Sequence, residues 1–205
     1  MVEIMKVKPV VLTGKYVRLE PLTEAHILGL AEIGVGQNFW HFMLYGDMNT
    51  ETDMQNWVLD MMSRGQKGTD LPFAVIDLRS DRVAGATRYL NIVLKDRGLE
   101  IGGTWYGVDF QRTAVNTECK YLLMTHAFEK LHAIRVQLKT DLRNERSQRA
   151  IERIGAKKEG VLRNHMILPD GNIRDSVFYS VLDSEWSEVK KNLEEMMNRY
   201  QSSSS

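Results

Sequence analysis

The sequence contains a single cysteine, Cys119, so no disulfide bond can form within the chain. Its neighbours fit the interior of a helix, and we therefore expect Cys119 to be a small buried hydrophobic residue. Long apolar runs are missing as well. The opening segment 1–15 lacks the hydrophobic stretch of a signal peptide, and no stretch approaches the length of a membrane span. These absences predict a chain that stays in the cytoplasm and has no membrane partner.

An excess of one charge sign is also absent, because the chain has 27 basic and 27 acidic residues. A net charge of zero argues against binding to nucleic acid that is mainly electrostatic, so we expect no nucleic-acid partner. The five histidines contain no pair at metal-ligand spacing, and His126 and His132 would not share a helix face. No metal is therefore expected.

Internal repeats and long Pro-, Gly- or Ser-rich linkers are not found, which argues against several domains. The 205 residues, 43% of them hydrophobic, suit one domain with a substantial core. We predict a single domain over residues 1–200 that includes a C-terminal helix. A polar, serine-rich and disordered tail is predicted at 201–205.

Alternating strand and helix patterns fill this domain. Thr50 and Asp53 match a capping box at the start of a helix, and segment 169–172 matches a hairpin turn. Strands are predicted at 10–12, 16–20, 73–78, 83–92, 99–108, 134–140, 157–168 and 174–182, and helices after Thr23, after Thr50, over 115–131, after Asn144 and from Ser184. The strand–helix–strand–helix middle indicates an α/β (α+β) sheet domain.

The segment 109–118, DFQRTAVNTE, follows a predicted strand and opens a helix. The first N–H groups of a helix have no partner within it, and the helix dipole favours an anion at that end. Ala114 would let a phosphate approach the backbone, Asn116 tolerates unusual backbone angles, and Arg112 could pair with a phosphate. Many helices begin in this way, so an ordinary turn is the commoner explanation. The segment is neither a Walker A loop nor a dinucleotide fingerprint.

The segment 140–156, TDLRNERSQRAIERIGA, again runs from a strand end into a helix. Asn144 could cap this helix and also offer its amide to a ligand, or it could act as a cap alone. Ser147 could be a functional hydroxyl or a small residue that packs near the helix start. The segment alone leaves both alternatives open.

Together the two segments resemble the GCN5-related N-acetyltransferase (GNAT) family, and most closely its branch of ribosomal-protein N-terminal acetyltransferases. The pyrophosphate loop of that family reads Gln/Arg-x-x-Gly-x-Gly/Ala, and 111–116 lies in its place. Further matching segments are 12–15 (LTGK), 17–19 (VRL), 21–22 (PL), 117–118 (TE), 141–147 (DLRNERS), 154–156 (IGA), 159–163 (EGVLR), 170–171 (DG), 174–175 (RD) and 185–186 (EW). These segments cover nearly the whole chain in the family's order.

The resemblance implies a mixed, twisted and partly split β-sheet flanked by helices. Acetyl-CoA would lie between the strands 99–108 and 134–140. Backbone groups near Trp105 and Tyr106 would pair with its pantetheine arm, backbone N–H groups of 112–116 would hold its pyrophosphate, and Asn144 would bond the pantetheine. The positions that the resemblance assigns to the cosubstrate are Trp105, Tyr106, Gln111, Arg112, Thr113, Ala114, Val115, Asn116, Asn144 and Ser147.

Two departures from the family pattern bear on chemistry. Ala114 and Asn116 replace the loop's usual small-residue pattern, most notably its glycine, but main-chain donors survive that change. Many family members also carry a general-acid tyrosine seven residues after the helix asparagine, where this chain has Ile151. In the ribosomal branch a serine three residues after the asparagine is proposed for that role, and Ser147 matches it.

The resemblance implies direct attack of a neutral amine on the thioester, which requires a base or a water chain. Glu100, His165 and Asp175 are candidates. Each has an ordinary structural alternative: a solvated strand-edge charge for Glu100, a sheet side chain for His165 and an arginine partner for Asp175. The aromatic segment 39–45 either lines the acceptor pocket or packs under a loop.

The expected function is therefore transfer of an acetyl group from acetyl-CoA to a primary amine, either a protein N-terminus or a small molecule. A non-catalytic acyl-CoA sensor on the same fold is the main alternative, and Ile151 is its best support. A structural domain that binds neither substrate is a third. Homodimer formation is compatible with the sequence, but no feature requires it.

Overall fold

The computed structural model describes the backbone of residues 4–202 and the side chains of residues 4–200. The last helix continues through Ser202, so it includes the first two residues of the predicted tail. The remaining tail residues, 203–205, lie outside the described part of the chain.

Within residues 4–202, eight strands form one mixed sheet, as the resemblance implied. Their bounds are β1 Leu12–Thr13, β2 Val17–Pro21, β3 Leu71–Asp77, β4 Arg82–Val93, β5 Gly98–Tyr106, β6 Arg135–Asp141, β7 Lys157–Ile167 and β8 Ile173–Leu182. The spatial order is β1-β2-β3-β4-β5-β6-β8-β7. Within it β5 and β6 are parallel, and each of the other neighbouring pairs is antiparallel. Each predicted strand has a counterpart, although β1 begins two residues late.

In the described part of the chain five α-helices flank the sheet, at the predicted places. They are α1 Ile27–Gly34, α2 Glu51–Gln66, α3 Ala114–Thr125, α4 Glu145–Arg153 and α5 Trp186–Ser202. The capping box at Thr50 and Asp53 is present, which confirms that prediction. The predicted helix 115–131 is interrupted, because α3 gives way to a wider π-helical turn at His126–Lys130. Within residues 4–202, no helix combines the length and the apolar content that a bilayer crossing needs.

The two faces of the sheet carry different helices. Tyr89 on β4 donates its hydroxyl to the Leu123 carbonyl of α3 at 2.6 Å, whereas the adjacent Arg88 points to Met61 of α2. Alternate residues of a strand face opposite sides, so α3 and α2 cover opposite faces. We call the α2 side the front face and the α3 side the back face.

The back face of β6 and β8 is apolar and lies under the last helices. Val136, Leu138, Val177 and Val181 are buried there, and the hydroxyl of Tyr179 donates to Glu152 of α4 at 2.9 Å. The intervening residues of the same strands point to the front, and apart from Phe178 and Leu182 they are polar or charged. Strand alternation therefore gives this half of the sheet an apolar back face and a front face that carries polar and charged side chains.

Candidate active site

The β5 and β6 strands pair over only three positions before they part. Gly98, Leu99 and Glu100 pair with Arg135, Val136 and Gln137. Beyond that point β5 stays with β4 as far as Tyr106, and β6 stays with β8 as far as Asp141. The sheet therefore opens between the two parallel strands and exposes main-chain groups that a sheet would otherwise use.

A bulge shapes the β5 side of this opening. The pairing register with β4 shifts between Ala86 and Arg88, and Gly103 has a φ of 56°. This left-handed conformation is easy for glycine and turns the backbone locally away from regular pleating. The bulge is therefore a built-in irregularity beside the opening.

The N-terminus of α3 lies at the end of β5, after a single turn of 3-10 helix at Val108–Phe110. Thr113 caps α3 weakly: its hydroxyl accepts from the Val115 N–H at 3.3 Å and donates to the Phe110 carbonyl at 2.7 Å. Arg112 is exposed and has a φ of 60°, an uncommon conformation for a residue with a side chain. The strained turn directs the Arg112 side chain into solvent just before the positive end of the α3 dipole.

Gln111 braces this loop rather than standing free. Its Nε2 donates to the Tyr106 carbonyl at 2.8 Å, and its Oε1 accepts from Arg146 of α4 at 2.7 Å. The loop before α3 is thus tied both to the end of β5 and to the start of α4. The Tyr106 carbonyl, one of the two predicted pantetheine positions, therefore already has one side-chain partner.

The two side chains at the end of β5 belong to the core. Trp105 faces front and packs on Trp40, with ring centroids 4.9 Å apart. Tyr106 faces back against Cys119, where burial raises the pKa of the phenol well above its usual value and that of the thiol to about 12. Cys119 is buried, as predicted, and its thiol stays protonated and unreactive.

Asn144 caps α4, as predicted, because its Oδ1 accepts from the Ser147 N–H at 3.0 Å. Among the described residues its Nδ2 has no hydrogen-bond partner, so the amide donor is left for a ligand. The Ser147 hydroxyl likewise has no partner in the described chain, and both side chains are half-buried. The amide oxygen of Asn144 therefore has a structural role, and its amide nitrogen is available to donate to a ligand.

Glu100 lies at the last paired position before the strands part, and it is only 2% exposed. Its carboxylate accepts from Asn91 Nδ2 at 2.9 Å and Gln137 Nε2 at 2.8 Å, and Lys139 Nζ lies 3.6 Å away. The expectation of a solvated strand-edge charge was therefore wrong. A buried, hydrogen-bonded carboxylate stands at the point where the sheet opens.

Comparison with known proteins places this geometry in a family. The acetyltransferase (GNAT) domain family matches residues 17–157, well over half of the chain. The chain belongs to the GNAT acetyltransferase family. A GCN5-related N-acetyltransferase structure from Brucella melitensis superposes with a TM-score of 0.88 at 29% identity, covering 96% of this chain and 90% of that one.

Two curated relatives of this GNAT chain carry ribosomal names. YdaF of Bacillus subtilis (strain 168), which is named as a ribosomal N-acetyltransferase by inference, is 35% identical to this chain over 100 residues. The match covers 49% of this chain and 54% of YdaF. The [ribosomal protein uS5]-alanine N-acetyltransferase of Escherichia coli (strain K12) is 24% identical over 127 residues, 60% of this chain and 62% of that enzyme. Each match therefore spans less than two thirds of the relative's length.

The other two base candidates of this GNAT domain lie on the β7–β8 side. His165 Nδ1 is 3.0 Å from the Ser176 hydroxyl, and burial, with Lys139 and Arg174 nearby, lowers the pKa of the imidazole. Asp175 accepts from the Asn164 N–H at 2.7 Å, at the β7 bulge. The alternative that paired Asp175 with an arginine holds only in part, because Asp175 adds to the larger effect of Asp141 in raising the pKa of the Arg143 guanidinium but forms no ion pair among the described residues.

The aromatic segment 39–45 divides between the two predicted roles. Trp40 is buried and contacts the rings of Phe39, Trp57 and Trp105 in tilted or edge-on arrangements, which fits the packing role. Phe42 is half-buried, and its carbonyl accepts from Arg174 at 3.4 Å, so this part of the segment reaches the front face of β8. Ile151, at the tyrosine position of other members, is buried in the core.

Sequence reasoning missed the front-face charges Lys139 and Arg174. A signal was available in β8, where Arg174, Ser176 and Phe178 alternate with the apolar residues of the back face. Their partners come from distant elements, however, and no local pattern reports that. Within residues 4–202, no three His, Cys, Asp or Glu side chains gather as a metal site.

Proposed function

We propose that this protein is an N-acetyltransferase that moves an acetyl group from acetyl-CoA to a primary amine. The observation that carries the proposal is the parting of β5 and β6 after three paired positions, directly beside the N-terminus of α3. A parted sheet offers main-chain donors and acceptors to an extended amide-bearing ligand, as a strand partner would. The pantetheine arm of acetyl-CoA is such a ligand.

The surrounding residues suit the other parts of acetyl-CoA. The α3 N-terminus favours an anion, and the exposed side chains of Arg112 and Arg146 supply positive charge beside it. The Nδ2 of Asn144 can donate to a pantetheine carbonyl while its Oδ1 keeps the cap on α4. The groups that would bind the pyrophosphate and the group that would bind the pantetheine thus lie at the neighbouring starts of α3 and α4.

The reaction proposed is direct transfer. The neutral amine nitrogen attacks the thioester carbonyl carbon, a C–N bond forms, and the C–S bond breaks as the CoA thiolate leaves. Glu100 accepts the amine proton, directly or through water, because it is the candidate base at the opening itself. Ser147 donates the proton that the thiolate takes up and regains one from solvent. Positioning and main-chain stabilisation of the oxyanion supply most of the rate gain.

The acceptor is proposed to be the N-terminal amine of a protein or peptide. The names of the curated relatives point to ribosomal proteins, and the front face beside Glu100 is lined by polar residues of β6 and β8. The main alternative, a non-catalytic acyl-CoA sensor, rests on the absence of a tyrosine at Ile151. Membership of an acetyltransferase family favours the enzyme.

The test measures release of free CoA thiol from acetyl-CoA by the purified protein, with mass detection of the acetylated product. The panel should contain N-terminal peptides of ribosomal proteins, polyamines and aminoglycosides. We expect amine-dependent thiol release with at least one peptide. Tight acetyl-CoA binding without thiol release from any amine would favour the sensor, and absence of acetyl-CoA binding would exclude both.

A further inference from the structure

We infer that Arg174 forms a carboxylate-binding subsite on the front face, so that the preferred acceptor is a peptide with an acidic residue a few positions after its N-terminal amine. This inference deepens the proposed function and rests on it for the position of the reacting amine. It concerns the half of the front face that lies beyond the opening, on β6 and β8.

The Arg174 guanidinium is buried without enough partners. Its residue is 5% exposed, its Nε donates to the Ser176 hydroxyl at 3.0 Å, and its Nη1 donates to the Phe42 carbonyl at 3.4 Å. A guanidinium has five N–H groups, so three of them lack a hydrogen bond within the described chain. A buried cation that is only partly bonded is costly unless another group completes its shell.

On this face Arg174 is a positive charge without an ion-pair partner, because the nearby carboxylates are paired with other residues. Glu100 is paired with Lys139 at 3.6 Å. Asp141 is taken by Arg143, whose backbone N and Nη2 each donate to the carboxylate at 2.8 Å. Among the described residues, no carboxylate forms an ion pair with Arg174.

Asp141 and Glu100 lie near enough to favour the charge of Arg174, but neither accepts a hydrogen bond from its guanidinium. His165 shares the Ser176 hydroxyl, and its lowered pKa keeps the imidazole neutral near pH 7. Burial also lowers the pKa of Arg174, yet an arginine stays charged in proteins. A carboxylate that arrives with the substrate would meet an arginine whose free N–H groups can bind it in a forked arrangement.

The sheet register sets the spacing of such a substrate. Gln137, the partner of Glu100, lies four residues before Asp141, which pairs with Ser176. A strand rises about 3.3 Å per residue, so the backbones of Gln137 and Asp141 are separated by roughly 13 Å along the sheet. The Arg174 guanidinium lies near the Asp141 end of this span, because its Nε donates to the Ser176 hydroxyl. Side chains shorten that span to about three extended peptide residues. A free amino acid is too short to bridge it.

The test uses matched acceptor peptides that differ only in Glu or Gln at each of positions two to five. For the wild-type protein we expect kcat/KM to be about tenfold higher for Glu than for Gln at one of these positions, since a charged hydrogen bond contributes about 1.4 kcal/mol or more. Arg174→Gln should remove that preference, whereas Arg163→Gln, an exposed arginine on β7, should keep it.

The wild-type peptide scan can overturn the subsite even if Arg174→Gln fails to fold. Equal kcat/KM for every Glu and Gln pair would overturn the subsite, as would a preference that survives in a folded Arg174→Gln variant. Faster acetylation of free glutamate than of the peptides would overturn the peptide assignment. If no amine is acetylated, the proposed function fails, and Kd values of the same peptides from fluorescence anisotropy still test the subsite.

Discussion

Asn144 serves two purposes with the two ends of one amide. Its Oδ1 holds the first turn of α4, and its Nδ2 is left free for acetyl-CoA. We predict that Asn144→Ala loses both, lowering the free energy of unfolding by about 1 kcal/mol and weakening acetyl-CoA binding. Asn144→Asp keeps a capping oxygen but loses the donor, so it should fold normally and still bind acetyl-CoA poorly. Urea unfolding and calorimetric titration of acetyl-CoA measure the two effects.

The pair of variants separates the cap from the ligand contact. If Asn144→Asp bound acetyl-CoA as tightly as the wild type, the free amide would have no role in binding. If Asn144→Ala were as stable as the wild type, the cap would contribute nothing measurable. Either result would remove one half of the assignment and leave the other standing.

Ser147 is joined to the Asn144 cap only through its backbone N–H, so its hydroxyl can be removed without disturbing α4. As the proposed acid for the leaving thiolate, its loss should lower kcat about a hundredfold, because a positioned proton donor contributes at least that much. Ser147→Ala should leave the unfolding midpoint unchanged, as should the exposed control Ser187→Ala. An unchanged kcat in thiol-release assays would mean that water protonates the thiolate.

What could be foreseen at single residues depended on the range of their contacts. The Thr50–Asp53 box and the Asn144 cap were predicted because donor and acceptor lie three residues apart in sequence. Glu100 was expected in solvent and is buried, because Gln137 and Lys139, which enclose it, come from the next strand in the sheet. Sequence patterns report neighbours within an element, not neighbours across a sheet.

At the scale of elements, α3 is fastened to the β1–β2 turn by one carboxylate. Buried Glu118 accepts from the N–H groups of Lys15, Tyr16 and Val17 at 2.8, 2.6 and 2.7 Å. Gly14 provides the room, since a Cβ there would lie 2.4 Å from the Glu118 Cδ. The helix that begins at the proposed pyrophosphate site is therefore anchored to the far edge of the sheet.

Removing this anchor should destabilise the whole domain. Glu118→Gln exchanges one acceptor oxygen for an NH2 group that faces donors, so we predict a loss of about 2–4 kcal/mol in the free energy of unfolding. Urea unfolding measures it, with the exposed Glu195→Gln as control. A loss below about 1 kcal/mol would mean that the three N–H groups find other acceptors at little cost.

The opening between β5 and β6 could be predicted only in part from the sequence patterns of single strands and helices. The two strands and the helix between them were predicted from sequence patterns, which indicated an α/β (α+β) sheet domain. That they part was expected only from the resemblance to GNAT proteins, and the position of the parting, after Glu100 and Gln137, came from the structure alone. The parting depends on β4 holding one strand and β8 holding the other, which is a property of the assembled sheet.

At the scale of the whole molecule, one buried cation on the back face of the sheet lowers the free energy of unfolding. Lys120 of α3 is buried, and its one hydrogen bond within the described chain goes from Nζ to the Thr104 hydroxyl at 2.9 Å. Burial lowers the pKa of this ammonium from 10.5 to about 8. The unfolded chain therefore holds the proton more tightly than the folded protein does, and folding carries a penalty that is full below about pH 8 and disappears as the pH rises to about 10.5.

Replacing Lys120 by a methionine of similar size should therefore stabilise the protein near neutral pH. A shift from 10.5 to about 8 corresponds to about 3 kcal/mol, and Thr104 keeps a partner in Thr87 at 2.8 Å. The gain of Lys120→Met over wild type should be largest at about pH 7 and shrink towards pH 10.5, because the wild type loses its penalty as Lys120 deprotonates. Urea unfolding across this range, with the exposed Lys158→Met as control, measures the difference. A gain that is independent of pH would show that packing, and not the buried charge, separates the two proteins.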